Sequence, residues 1–428
     1  MADQRTTITE LVTGLGTLGY PSLAEALAAR PAEMVSLSPE QWCLLEELHR
    51  GGAFGAEFLG AWHNGVAFLA ATDGLRGRRP LVVEWRGAQK QPGDEPVPAD
   101  LRIDHVFLVS CKYLSKIVTN TAPATVFDRL LAGGHGHGGP APDWFAEVAP
   151  EAYQALYEAT LVHLASGPAG DAGEPAPRAT PAALDGSLGP ALLPPPGHRG
   201  VDAGRGRAAG ATPGRAGAPG VDPGPAGDER RWRAEEVAAG LGLPARVVDL
   251  QADDRAKLQA RLGRGRWPAE LRPAAVAFST AVAEASAARW RAALAGADVE
   301  RVLWRLLRIG SAPYFVLGAS AEGSLRLRIA TAWDWRQHFR IEEVAVTPTA
   351  REQPVVQWSV TVTNRRTLQV STVEGHVEIR WSHGKFAQRP EAKVYLDTPH
   401  HRVPGYWPLT PPAPTARQPG VAEAPAAI

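Results

Sequence analysis

Twenty-seven of the 63 residues from 166 to 228 are glycine or proline, with runs such as LLPPPG and GRGRAAGATPGRAGAPG. That composition buries too little apolar surface to offset chain entropy, so the segment predicts a disordered linker. Residues 411–428 share the texture and predict a disordered tail. The 428-residue chain is thereby divided into two domain-sized pieces, 1–165 and 229–410. At 44% apolar residues, both pieces can build cores.

The formal net charge of zero hides a split. Residues 1–165 hold 12 Lys/Arg and 19 Asp/Glu, and residues 229–410 hold 27 and 19. The basic half suits a polyanion, through phosphate neutralisation. The alternative is that two oppositely charged pieces dock on each other or hold other protein subunits. Only two cysteines, Cys43 and Cys111, exclude a disulfide framework and a four-thiolate zinc site. No apolar run approaches the ~18 residues of a membrane helix, and the polar start lacks a signal-peptide core. A cytoplasmic protein without a membrane partner is expected.

In the first half, apolar spacing predicts helices near 7–15, 22–30, 38–49 and 53–71. Ser38 before Pro39 makes an N-cap followed by a first-turn proline. LVVEW (81–85) and LRIDHVFLVSCKY (101–113) read as strands around a polar loop, and helices return at 123–132 and 143–165. The expected class is α/β or α+β. Gly14, Gly16 and Gly19 spell G-x-G-x-x-G. No strand leads into them, so the dinucleotide-binding context is missing. Cys111, inside a strand, is expected to be a buried, inert thiol. His135 and His137 in GGHGHGG lack the further ligands of a closed metal site.

The stretch VFLVSCKY carries the functional lead. An apolar strand ends in Ser110-Cys111-Lys112, with Glu57 upstream on a helix and Glu84 and Asp104 nearby. This pattern resembles the restriction-endonuclease-like nucleases of the PD-(D/E)XK superfamily. There a helix carries a Glu, one strand an Asp, and the next strand ends in acid-x-Lys. The resemblance covers about sixty residues. It implies a restriction-endonuclease-like fold for 1–165 and hydrolysis of DNA phosphodiester bonds. Glu57, Glu84 and Asp104 would hold Mg²⁺, an oxygen-loving cation. The metal would activate water, and Lys112 would orient that water or offset developing charge. Ser110 departs from the pattern, because a hydroxyl supplies no charge where the family has an acid.

Asp104 and Lys112 lie eight residues apart, roughly 26 Å on one straight strand, so they share a metal only if the chain bends. Glu84 is the better partner if its strand pairs antiparallel with the second, and Asp100, where the loop ends, is a third option. The alternative is that Ser110 and Lys112 merely end a buried strand at the surface.

In the second half, 229–310 reads as helical; RAEEVAAGLGL (233–243) resembles the first part of a helix-turn-helix, but the acidic ARVVDLQADD that follows does not suit a recognition helix. From PYFVLGA onward, strand patterns alternate with turns and predict one antiparallel sheet with helices packed on it, an α+β domain. Nine of the thirteen tryptophans fall between 232 and 407. Arginine and tryptophan interleave in WDWRQHFR (333–340) and HVEIRWSHGKF (376–386), which makes Arg336, Arg340, Arg380 and Lys385 candidate nucleic-acid contacts. A second acid-turn-Glu-x-Lys pattern joins Glu378 to Glu391 and Lys393, with the last two on one strand face. His383, His400 and His401 are near it in sequence, as phosphate contacts, general acids or plain surface residues. The functional expectation is a Mg²⁺-dependent nuclease acting on DNA, with RNA as a second substrate. The runner-up is a non-catalytic nucleic-acid-binding or scaffold subunit with protein partners.

Overall fold

The computed structural model describes residues 2–87, 99–129, 143–166, 235–263, 265–349 and 352–411. The expected linker beyond Ser166, the tail beyond Pro411, and His135 and His137 lie outside the described residues.

The chain opens with four helices: α1 (Ala2–Gly16), α2 (Leu23–Ala29), α3 (Pro39–Arg50) and α4 (Gly55–Ala70). Ser38 and Gln41 form a reciprocal capping box at α3, with Pro39 in the first turn, as the local sequence requires. The strands in this half are β1 (Met34–Val35), β2 (Val83–Trp85), β3 (Leu101–Ile103), β4 (Phe107–Tyr113) and β5 (Ile117–Thr121). A π-helical turn covers Thr125–Arg129, followed by α5 (Trp144–Val148) and α6 (Pro150–Ser166). After α7 (235–241) come α8 (Ala252–Leu262), α9 (Arg272–Leu294) and α10 (Val299–Leu306). Then follow β6 (Tyr314–Ser320), β7 (Gly323–Ile329), α11 (Ala332–His338), β8 (Phe339–Thr349), β9 (Val355–Asn364), β10 (Val370–Arg380), β11 (Glu391–Leu396) and β12 (Tyr406–Pro408).

The result is a mixed α+β architecture with two sheets. One has seven strands in the order β1-β2-β3-β4-β6-β7-β12, and the other has five in the order β5-β11-β10-β9-β8. Three expectations are corrected by this arrangement. First, the boundary between 1–165 and 229–410 does not separate two domains. β4 pairs in parallel with β6, β5 pairs with β11, and one compact unit takes in Met1–Ala159 and Arg246–Ile428. Backbone pairing, not charge, joins the halves, because a strand left unpaired exposes a row of amides and carbonyls. The described residues 160–166 and 235–245, α7 among them, fall in a second, smaller unit. Second, the C-terminal strands do not form one sheet; β6, β7 and β12 belong to the seven-stranded sheet. Third, the WDWRQH part of 333–340 is helical: Thr331 caps it through a box with Asp334, Trp335 is buried, and Trp333 is 70% exposed.

α1 and α4 cover one face of the larger sheet and bury Leu11, Leu15, Phe58 and Phe68 against Val83, Leu101, Val109 and Phe315. Gly14 and Gly16 of the G-x-G-x-x-G are packing devices. A side chain at Gly16 would meet the Trp62 carbonyl at 2.5 Å and Gly65 at 3.0 Å, so α1 and α4 touch backbone to backbone there. A carbon added at Gly14 would lie 3.2 Å from Met34 and Val83. In the five-stranded sheet, α9 packs on β8 and β9 over Val346, Trp358 and Val360. Among the described residues no helix is long and apolar enough to cross a membrane.

The stretch 101–113 is not one strand. Asp104 and His105 both take left-handed backbone conformations (φ 49° and 58°) and fold it into a hairpin. Asp104 holds the turn: Oδ1 accepts from the amides of Leu81 (2.7 Å) and Val82 (3.2 Å), and Oδ2 pairs with Arg78 at 2.7 Å. Burial pushes its carboxyl up. The hydrogen bonds from Arg78 and the two amides outweigh burial and hold the carboxyl below its ordinary value. Asp104→Ala should therefore cost about 1–2 kcal/mol, measured by urea unfolding at pH 7. The difference should shrink as pH falls through the folded-state pKa of Asp104, where the native carboxylate is neutralised.

Candidate functional site

β4 alternates about the sheet plane. Val109 and Cys111 face the α1 side, where Cys111 is 7% exposed and burial, then Asp100 and Glu10, push its thiol up. Tyr113 shares that side. Its hydroxyl donates to Glu57 at 2.9 Å, and Arg5 meets the same carboxylate at 3.0 Å. Ser110 and Lys112 point the other way, so Glu57 and Lys112 stand on opposite faces and hold no common ion.

The remaining predicted acids are also separated. Glu84 lies directly across from Arg102 and is paired to it at 2.5 Å. Arg102 in turn faces Leu108, four residues and about 13 Å along β4 from Lys112. Asp104 is committed to its turn. The carboxylate that does reach Ser110 is Asp100, whose Oδ2 accepts from the Ser110 hydroxyl at 3.3 Å and the Cys111 amide at 2.6 Å. Asp100 had a signal in the sequence only as one of three options; the hairpin turn at 104–106 is what sets it opposite Ser110. Among the described residues no group of three or more His, Cys, Asp or Glu is placed to hold a metal ion. Glu57, Glu84 and Asp104 thus do not fit a shared Mg²⁺ site.

What surrounds Lys112 instead is a set of donors and cations. Leu114, in a left-handed conformation, turns the chain out of β4 and carries Lys116 to the start of β5 in the other sheet. Lys112 pairs across to Gly318, whose carbonyl accepts from the buried Asn64 amide at 2.9 Å. Lys112 borders a cavity of about 20 Å³ that is also edged by Ser110, Arg308, Tyr314, His400 and Tyr406 and by the apolar Ile117, Val118 and Val316. Arg308 donates to Thr119 Oγ1 at 3.2 Å, and Tyr406 donates to the Leu307 carbonyl at 2.7 Å. Burial raises both tyrosine hydroxyls above their ordinary value, so they remain protonated. His400 opens a short turn, His400–Arg402, at the rim. Burial holds its imidazole below the ordinary histidine value, and the positive charges of Lys112, Lys116 and His401 lower it further against the opposing pull of Glu322. Lys112, Lys116, Arg308 and His400 thus lie together where two sheets meet, with Arg402 and His401, which sits 3.4 Å from Glu322, on the adjoining turn. Sequence reasoning singled out Lys112 and the two histidines for different sites, and it missed Lys116, Arg308 and Arg402.

The other candidates are placed differently. Arg336 pairs with Glu300 at 2.9 Å and covers the Trp304 ring, and Arg340 pairs with Glu342 at 2.6 Å. Arg380 sits 3.5 Å from Glu378. Lys385 is 7% exposed and donates to the carbonyls of Gly265 (2.7 Å) and Arg266 (3.3 Å). These four are bound to their own chain rather than arrayed as a basic stripe. Glu378 and Lys393 do come together, as direct cross-strand neighbours, and so do Arg380 and Glu391. Glu391 accepts from Ser382 and Asn120, and Glu378 from Tyr395 at 3.1 Å, which makes a neutralised lattice on an open sheet face.

No protein-family model, no curated protein and no solved structure matches this chain.

Proposed function

We propose that this protein is a non-catalytic nucleic-acid-binding protein that grips phosphate through the basic cluster at the end of β4. The restriction-endonuclease-like scaffold would be retained in degenerate form, with DNA the first partner to test and RNA the second. One observation carries the reading. The lysine that resembles the nuclease lysine is surrounded by hydroxyls and cations, while every acid of the resemblance is engaged elsewhere. Neighbouring cations attract phosphate oxygens and repel a divalent metal. A protein holding nucleic acid this way would serve as a binding or scaffold subunit.

The direct test is retention of the full chain on DNA and RNA at rising salt. Affinity should fall linearly in log[salt], with a slope near −0.9 per phosphate neutralised on duplex DNA and about −0.7 on single strands. With Mg²⁺ present, both nucleic acids should remain intact; cleavage that disappears in Lys112→Ala would overturn the non-catalytic reading.

His400 reports on the same site. Its folded-state value lies below the ordinary one, so the unfolded chain binds more protons in the interval between them. His400 therefore destabilises the fold as pH falls from the unfolded value, near 6.5, to the folded one. A bound phosphate reverses the field. The His400 imidazole, followed by NMR titration, should rise toward or above its ordinary value when DNA is added, and affinity should increase as pH is lowered. An unchanged titration curve would place the nucleic acid elsewhere.

A further inference from the structure

β8 is an outer strand of the five-stranded sheet, and among the described residues no strand pairs with its other side. In an antiparallel pair, half of a strand's amides and carbonyls point away from its partner. An open groove of about 740 Å³ runs along β8. Seven consecutive strand residues, 340–346, line one wall, as happens when a groove follows the backbone edge itself. The opposite wall is the end of α9, at Leu294, and the loop at Asp298–Glu300. The floor is apolar: Leu294, Val299, Val344 and Val346 also border the core beneath. The rim carries Asp298, Glu300, Glu342 and Glu343 against Arg291 and Arg340; Glu342 is paired to Arg340 and Glu300 to Arg336, so Glu343 and the helix-capping Asp298 carry the acidic character.

We propose that this edge is a docking site for an extended basic peptide, which adds a sixth strand to the sheet. Strand addition takes its affinity from main-chain hydrogen bonds and its specificity from alternate side chains. Here one set of side chains would rest on the apolar floor, and the other would meet Glu342 and Glu343. The same features disfavour a second copy of this chain. Edge-to-edge pairing of two β8 strands sets the glutamates of one against those of the other, and the bulge between Ile341 and Glu343 and Pro348 break a long flat edge. A basic peptide instead neutralises the rim.

The test uses the full chain and a fluorescent hexapeptide of alternating lysine and valine, followed by anisotropy at low salt. Binding is expected. The glutamate-valine counterpart should bind at least roughly tenfold more weakly, and Glu343→Lys in the protein should weaken the lysine peptide by a similar factor. N-methylation of alternate peptide amides, in whichever phase faces β8, should abolish binding without altering charge. Equal binding of both N-methylated forms, or no binding of the lysine peptide at about 1 mM, overturns the proposal. So does a β8-dependent dimer in solution. None of these outcomes bears on the Lys112 cluster, which lies outside the groove.

Discussion

Gly318→Ala should destabilise the protein by more than about 4 kcal/mol, a large share of the 5–15 kcal/mol that holds a typical domain folded. Gly318 lies in β6 opposite Lys112. A side-chain carbon there would fall on the Lys112 backbone, within 2.7 Å of its carbonyl carbon and 2.8 Å of its nitrogen. Overpacking between side chains is relieved by rotamer changes; a clash with the backbone of a paired strand is not. The methyl would have to part β4 from β6, the parallel pairing that joins the N-terminal and C-terminal halves of the chain. It would also shift the Gly318 carbonyl away from Asn64, which is 2% exposed and in turn accepts from Arg326 at 2.9 Å. Thermal or urea unfolding checks this directly, and a midpoint within error of wild type would show that the two strands are not in this register. Gly65→Ala belongs to the same class, because its added carbon would meet Gly16 Cα at 2.8 Å where α4 crosses α1.

Removing the basic cluster should weaken nucleic-acid affinity on the order of a hundredfold at moderate salt. The variant is Lys112→Met with Lys116→Ala and Arg402→Ala, methionine being chosen to keep the half-buried stem of Lys112 packed. Lys116 and Arg402 are exposed, so their removal leaves the fold intact. For every phosphate no longer neutralised, the log–log salt slope should flatten by about 1, giving a total change of roughly two to three. Arg336→Ala and Arg340→Ala provide the contrast. Each guanidinium is already paired with a glutamate, so each variant should bind nearly as wild type. The opposite ranking would return the interface to the Trp-rich segment and remove the role assigned to the end of β4.

Much of the local structure follows from local chemistry. Ser38-Pro39 starts a helix because the serine hydroxyl and the Gln41 side chain satisfy amides that the first turn leaves open. The alternating residues of β9, β10 and β11 form strands because one face must be buried. Cys111 is inert because its strand is covered. The hairpin at 104–106 was passed over because the apolar alternation of 101–113 reads as one strand, although Asp and His are among the few non-glycine residues that favour the left-handed conformation Asp104 and His105 adopt. That single turn moved Asp104 out of any site and put Asp100 beside Ser110.

The sequence alone determined that helices and strands are mixed, the side of β4 on which Ser110 and Lys112 share a face, and the separation of Cys111 from both. These depend on residues within a few positions of each other, where periodicity is sufficient. Tertiary structure alone decided that the two halves share sheets, that Glu57 stands across the sheet from Lys112, and that His400 and Arg308 converge on that lysine. Those facts depend on pairing between strands some two hundred residues apart, such as β4 with β6. Strand pairing uses backbone groups that every residue carries, so no side-chain pattern announces the partner.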